Sequence, residues 1–482
     1  MKLLKVYISA FCMCSLSVLL NSCDDFLKEE PLDMKSSDQF WKTKADAESG
    51  VNALYFGGVP YLHNTDVGGG WTPKATMWGG IVSGLYVDKR KDRTFTTASE
   101  GCNFNIESFD DIAMKYWHEF YKGISRANFV IANIPTMTGV LDEATINNYV
   151  AQGKFFRAYG YFWLVKEFGG VPYISEPYTS TEGMYKERLS AEEVYKKIEA
   201  DLLDIVNGDA LPNKTFYENG CYVTRAMAQT LLAQVYLQWA GAPLNGGADY
   251  YGKAAQMALK VINDSPHGLI HPNGTTDDLN SAYNVIKTTK ESAEIIYAKE
   301  YNYSDYSVGN SYACRSIGTD AFQWGVFHPG GDVLYNAYLP CDMLLNSYAS
   351  NDIRGHEKQF FFKQYTDAEG NTHTLNNAGN WAWFDENALI SGHDGDYNMP
   401  VFRFAEVLLI AAEGLARTNH EDNAVGGAKY YLNQVRKRAG LADETATGND
   451  LIQSILTERL HELPLEFKIW DDIRRTRLYP EA

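Results

Sequence analysis

Residues 403–416 read RFAEVLLIAAEGLA, and their spacing decides the fold class. Apolar side chains fall at Phe404, Val407, Leu408, Ala411, Ala412 and Leu415, in steps of three and four. That pattern lines one face of an α-helix, and small residues such as Ala411 and Ala412 let a second helix approach closely. The same period recurs on both sides. Downstream it runs through Ala428, Tyr431, Leu432 and Val435, then through Ile452, Ile455, Leu456 and Leu463. Upstream it is carried by Phe155, Ala158, Tyr159, Phe162 and Val165, by Ala228, Leu231, Leu232, Val235 and Trp239, and by Ala254, Ala258, Val261 and Ile262. Start and stop signals agree with it. Ser190 and Glu193 form a capping box. Gly169-Gly170 with Pro172, Gly241 with Pro243, and Gly440 each end a helical run. The expected fold is mainly α: neighbouring helices joined by short connections, tetratricopeptide-like in texture but without a clean 34-residue period.

Two regions do not read as helix. Gly57–Asn105 holds nine glycines, while Tyr301–Pro340 and Phe360–Pro400 are rich in Gly, Asn, Tyr and Trp. Long loops on a rigid scaffold are where binding residues concentrate. The stretches around 57–105 and 301–400 are therefore expected to form a loop-rich binding lobe. Trp71, Trp78, Trp324, Trp381 and Trp383 lie in them and are the candidate ligand contacts, since an indole face can stack on a sugar ring. Packing within the loops is the competing use of the same residues.

The N-terminus carries Lys2 and Lys5, then a mostly apolar run from Val6 to Leu20, then Leu20-Asn21-Ser22-Cys23. This is a secretory signal, and the run is too short to span a bilayer, which needs roughly 20 apolar residues. Its end resembles a bacterial lipobox, which makes Cys23 the expected site of acylation and the first residue of a single body over 23–482. Removing residues 1–22 takes away two lysines and no acid, so the formal charge goes from −18 to −20. A chain this acidic is a poor partner for nucleic acid or for a polybasic membrane contact. Cys102, Cys221, Cys314 and Cys341 would remain; none has C-x-x-C spacing, and buried thiols and disulfides are both open.

Catalytic signatures are missing. The chain has no HExxH, no G-x-S-x-G and no phosphate-binding G-x-x-x-x-G-K-S/T. No pair of carboxylates stands out as a glycosidase couple. Asp394, Asp396 and Asn398 follow the opening of a calcium loop. Met399 stands where that loop needs Gly and Ala405 where it needs Glu, so a plain turn is the favoured reading and no cofactor or metal is expected.

The strings, taken in order, resemble the SusD/RagB family of outer-membrane nutrient-binding lipoproteins. They run from Asp24-Asp25-Phe26-Leu27 and Phe40-Trp41-Lys42-Thr43 through Arg157-Ala158-Tyr159 and Phe168-Gly169-Gly170-Val171-Pro172. They continue with Arg403 to Ile410, Ala412-Glu413, Val435-Arg436, Arg438-Ala439-Gly440-Leu441, Glu458-Arg459, Glu462-Leu463, Asp472 and Arg474-Arg475. One departure stands out: the family's Glu-Gly-x-Arg is here Glu466-Phe467-Lys468-Ile469. A tail beyond Ala482 would also fit the pattern. The resemblance implies a SusD-like α-helical fold, display on the outer membrane through a lipid anchor, and a TonB-dependent β-barrel transporter (SusC-like) as partner. It implies a glycan as ligand, or in some branches a peptide. The leading expectation is thus non-catalytic glycan capture. A surface glycoside hydrolase and a peptide binder are the alternatives.

Overall fold

The computed structural model describes residues 40–56, 80–87, 111–178, 180, 183–274, 276–306, 308–328, 336 and 338–479. Eleven helices of seven residues or more organise them. The first six are α1 (Lys44–Asn52), α2 (Asp111–Asn133), α3 (Glu143–Phe168), α4 (Ala191–Asn207), α5 (Arg225–Ala240) and α6 (Gly247–Asp264). They are followed by α7 (Ala282–Thr288), α8 (Phe404–Ala416), α9 (Ala428–Arg438), α10 (Gly448–Glu462) and α11 (Ile469–Thr476). Each long helix packs on its sequence neighbour: α2 on α3, α3 on α4, α4 on α5 and α5 on α6. Helix α8 then docks on α6 and carries α9 and α10. The chain is mainly α, as its periodicity requires.

The caps sit where the sequence puts them. Ser190 and Glu193 exchange both capping-box hydrogen bonds at the start of α4. Gly169, with φ +68°, closes α3 in a conformation that most side chains resist. Helix α2 is a finding beyond the periodicity reading. Tyr116, Phe120, Ile124, Ala127 and Val130 form its buried stripe, and the polar residues and aromatics interleaved between them blur the pattern.

Every residue of α8 is buried, as expected of a helix that is apolar nearly all round. Its two acids must then be neutralised by partners, because an isolated buried charge is too costly. Glu413 takes both terminal nitrogens of Arg475, at 2.7 and 2.6 Å. Burial alone would raise its pKa, but Arg475 holds it down to about 2. Glu406 accepts from Gln234 at 3.0 Å and pairs with Lys468 at 3.1 Å. A larger network lies alongside. Arg403 reaches Glu294, Glu462 and Glu466 at 2.6–3.0 Å, and Arg438 bridges Glu294 and Glu462 at 2.5 Å. Arg354 pairs with Asp352, Glu458 and Glu462. The motif strings of this half of the chain are therefore, in large part, a buried ion lattice that locks α8–α11 together.

Phe467 occupies the position of the family glycine and sits at φ +59°, a left-handed backbone that glycine adopts without strain. A left-handed residue with a side chain costs roughly 1–2 kcal/mol. The phenyl ring offsets this by packing at 5.8 Å from both Tyr312 and Trp383. Lys468 supplies a cation one position before the motif's arginine and donates to the Val401 carbonyl at 2.9 Å.

Strands are few and short. Strand β1 (Tyr86–Val87) pairs with β3 (Leu339–Pro340), and β2 (Ile295–Lys299) pairs with β6 (Met399–Arg403). Within the 301–400 region, β4 (Phe361–Thr366) and β5 (Thr372–Asn380) form an antiparallel hairpin. The hairpin anchors a satellite core of Cys314, Ile317, Phe327, Phe362, Leu375 and Phe384, separate from the main helical core. The region expected to be loop is thus a small lobe with its own interior. Cys221, Cys314 and Cys341 are free thiols; Cys102 and Cys23 lie outside the described residues.

Candidate functional site

The lobe leaves the helical body at the end of β2 and returns through β6. The Asp394–Asn398 turn stitches this junction together. Asp396 accepts from the Tyr303 amide at 2.6 Å and from the Ser304 hydroxyl at 2.6 Å. Asn398 accepts from the Tyr301 amide at 2.9 Å and donates to the Tyr217 hydroxyl at 3.2 Å. These side chains are spent on holding chain segments.

Trp324 ends a short helical turn, Thr319–Trp324, that Gly325 closes at φ +73°. Asp320 in the same turn accepts from the Asn376 amide at 2.7 Å, fixing the turn on β5. The indole lies nearly parallel to two rings of the hairpin: His373 at 4.7 Å and 17°, and Tyr365 at 6.0 Å and 4°. Tyr365 and His373 are cross-strand partners, so the hairpin register sets the stack. Asp367 holds His373 through Nε2 at 2.8 Å, and its own carboxyl is lowered to about 2, chiefly by that bond. Trp324 remains partly exposed. It is a flat, rigidly oriented aromatic surface, which is what stacking on a pyranose ring needs.

Trp381 is partly exposed but more engaged. Its Nε1 donates to Asn284 at 2.7 Å, and its ring stacks on Phe384 at 5.1 Å. The Lys287 ammonium lies 4.1 Å from the indole centroid and 5.1 Å from that of Tyr397. Burial lowers the Lys287 pKa to about 7, against the pull of Asp385 and Glu386. Trp383 faces inward. It is 6% exposed and packs on Tyr312, Tyr338 and Phe467 where the lobe meets the body. A ring so placed serves the junction and has no open face for a ligand. Trp71 and Trp78 lie outside the described residues. Composition did not single out the nearby Tyr303, stacked on His393 at 4.3 Å, or Tyr306, which is 75% exposed. The tyrosine spacing over 301–306 was the available signal.

The chain is thus a scaffold of paired helices that holds up a separate lobe with its own aromatic-rich core. Two family models match the chain: the SusD family over residues 350–482, and "Starch-binding associating with outer membrane" over 81–237. Both matches support the resemblance to the SusD/RagB family. It is 27% identical to SusD-like protein P2 of Formosa agariphila, across 97% of this chain and 90% of that protein. Among solved structures it resembles a SusD superfamily protein of Parabacteroides distasonis, with 25% identity, TM-score 0.78, and coverage of 90% and 88%. It also shares its fold with surface glycan-binding protein A of Bacteroides thetaiotaomicron in complex with laminarihexaose, at 21% identity, TM-score 0.68 and 90% coverage of each chain.

Proposed function

We propose that this chain is a non-catalytic surface lipoprotein that captures a glycan and delivers it to a TonB-dependent outer-membrane transporter. The observation that carries the reading is the Trp324–His373–Tyr365 stack on the lobe surface. The family-model matches and a glycan-bound structural neighbour support the ligand class. Acylation of Cys23 supplies the anchor. No helix among the described residues is long and apolar enough to cross a membrane. A body held only by a lipid tether needs a separate pore for import, and backbone hydrogen bonding restricts outer-membrane pores to closed barrels. Tethering raises the local concentration of the body at such a barrel, so modest contacts hold it there.

Mild detergent extraction and pulldown of a tagged copy should recover a β-barrel protein of roughly 100 kDa or more, built from alternating strands. Cys23→Ala should abolish labelling with a palmitate analogue and release the protein from membranes. A chain that elutes alone, with no barrel cross-linked to it in intact cells, refutes delivery to a transporter.

A further inference from the structure

A cavity lies in the helical body, at the root of the lobe. Its volume is about 320 Å³, at the small end of the range typical of ligand sites. Four aromatic residues line it: Tyr55, Phe216, Tyr222 and Tyr297. Phe216 and Tyr297 are buried and meet at 5.6 Å and 73°, forming an apolar floor. Tyr222 stands at the rim, 38% exposed, edge-on to Tyr55 at 5.3 Å and 89°.

The wall is preorganised. Tyr55 donates to Gln152 Oε1 at 2.6 Å and accepts from the Val223 amide at 2.9 Å. Tyr222 donates to Asn52 Oδ1 at 2.9 Å. The turn that presents Tyr222 is held at both ends. Glu218 accepts from the Thr215 amide and hydroxyl, and Asn219 Nδ2 donates to the Tyr222 and Val223 carbonyls, each at 3.1 Å. Gly220 and Cys221 both have φ above +60°, and for Cys221 this is strain that the surrounding structure must hold in place.

Two charged residues complete the lining, Lys299 and Glu300. Glu300 accepts from Asn398 Nδ2 at 3.4 Å. Lys299 is different. It is largely buried, and burial lowers its pKa. It makes no ion pair with a carboxylate among the described residues; its Nζ lies 5.8 Å from the Tyr301 ring. Glu300, on the same wall, pulls on this ammonium without an ion-pair contact; a partly desolvated ammonium with no carboxylate in contact is costly, and a bound anion would lower that cost. The acidic chain as a whole repels anions, but at 0.1 M salt its charges are screened beyond about 10 Å, whereas a contact ion pair is not.

We propose that this cavity binds a carboxylate-bearing sugar, a uronic acid unit, with the carboxylate on Lys299 and the ring against Tyr222. The inference rests on the glycan-capture reading and narrows its ligand class. Aromatic walls favour the CH face of a sugar ring, and the cavity's size suits one or two such rings. The subsite is distinct from Trp324, so the two can be tested apart.

The test is isothermal titration calorimetry of the full soluble chain with digalacturonate, with digalactose as its neutral counterpart, and with a dipeptide bearing a free C-terminus. Digalacturonate should bind at least tenfold more tightly than digalactose. Lys299→Met should remove that preference, and Tyr222→Ala should weaken binding of the uronate. Glu300→Gln should strengthen it, by removing a like charge while keeping an acceptor for Asn398. Thermal melts establish that each variant is folded. Equal binding of both disaccharides, an unaffected Lys299→Met variant, or binding of the dipeptide in their place overturns the proposal. Retention of a neutral polysaccharide with no uronate preference leaves glycan capture standing and this subsite refuted. Uronate binding that depends on Lys299 but persists without retention of any polysaccharide does the reverse.

Discussion

Trp324→Ala should lower affinity for the captured glycan by at least tenfold while the protein stays folded. The indole is partly exposed and its orientation is fixed by His373 and Tyr365, so its removal deletes contact surface at the edge of the satellite core and leaves the main helical core intact. One aromatic stack on a nucleic-acid base is worth roughly 1–3 kcal/mol. A sugar ring lies toward the lower part of that range, and tenfold corresponds to about 1.4 kcal/mol. Trp383→Ala is the informative control. That ring is buried between Tyr312, Tyr338 and Phe467, so its loss should cost stability, about 3–5 kcal/mol as for other buried aromatics truncated to Ala. Calorimetry with the retained oligosaccharide, alongside thermal melts, separates the two. A folded Trp324→Ala protein with wild-type affinity removes the stack from the binding face.

Arg403→Met should destabilise the helical body by about 3–5 kcal/mol, the usual cost of removing one partner from a buried ion network. The reason is what remains behind. Glu294 and Glu462 keep Arg438, but buried Glu466 loses the arginine it pairs with. Methionine fills the volume and supplies no charge, so the loss reports the uncompensated Glu466 carboxylate and the weakened network, not a cavity. Arg417→Met should cost far less, because Arg417 is partly exposed and Glu413 keeps both bonds from Arg475. Urea denaturation of the two variants measures the difference. Equal midpoints would mean that the network contributes nothing specific to stability.

Much of the fold was legible because core helices must repeat their apolar residues every three or four positions. Helices α3, α5, α6, α8, α9 and α10 all show that repeat, and Ser190, Gly169 and Gly440 mark ends that the structure keeps. What the repeat could not convey was pairing at a distance. Arg403, Arg438, Glu458 and Glu462 are recognisable as motif letters, yet their joint role depends on helices α9 and α10 bringing them to the end of β6. The same limit applies to the site. Trp324, Trp381 and Trp383 look alike in composition and share a loop-rich stretch. Whether a ring faces out or in is set by the β4–β5 register and by the satellite core, both of them tertiary facts. Tyr222 and Lys299 lie 77 positions apart and carry no motif; only the fold places them around one cavity.

Affinity electrophoresis through gels containing one polysaccharide each, paired with chain-length analysis of the same glycans after prolonged incubation, tests the central claim most directly. The account predicts that at least one class of glycan retards the protein, that Trp324→Ala reduces the retardation, and that the glycan's length distribution does not change. Migration unaffected by every polysaccharide would contradict glycan capture. So would shortened products whose amount rises with protein concentration and survives repurification, since the chain would then be a hydrolase.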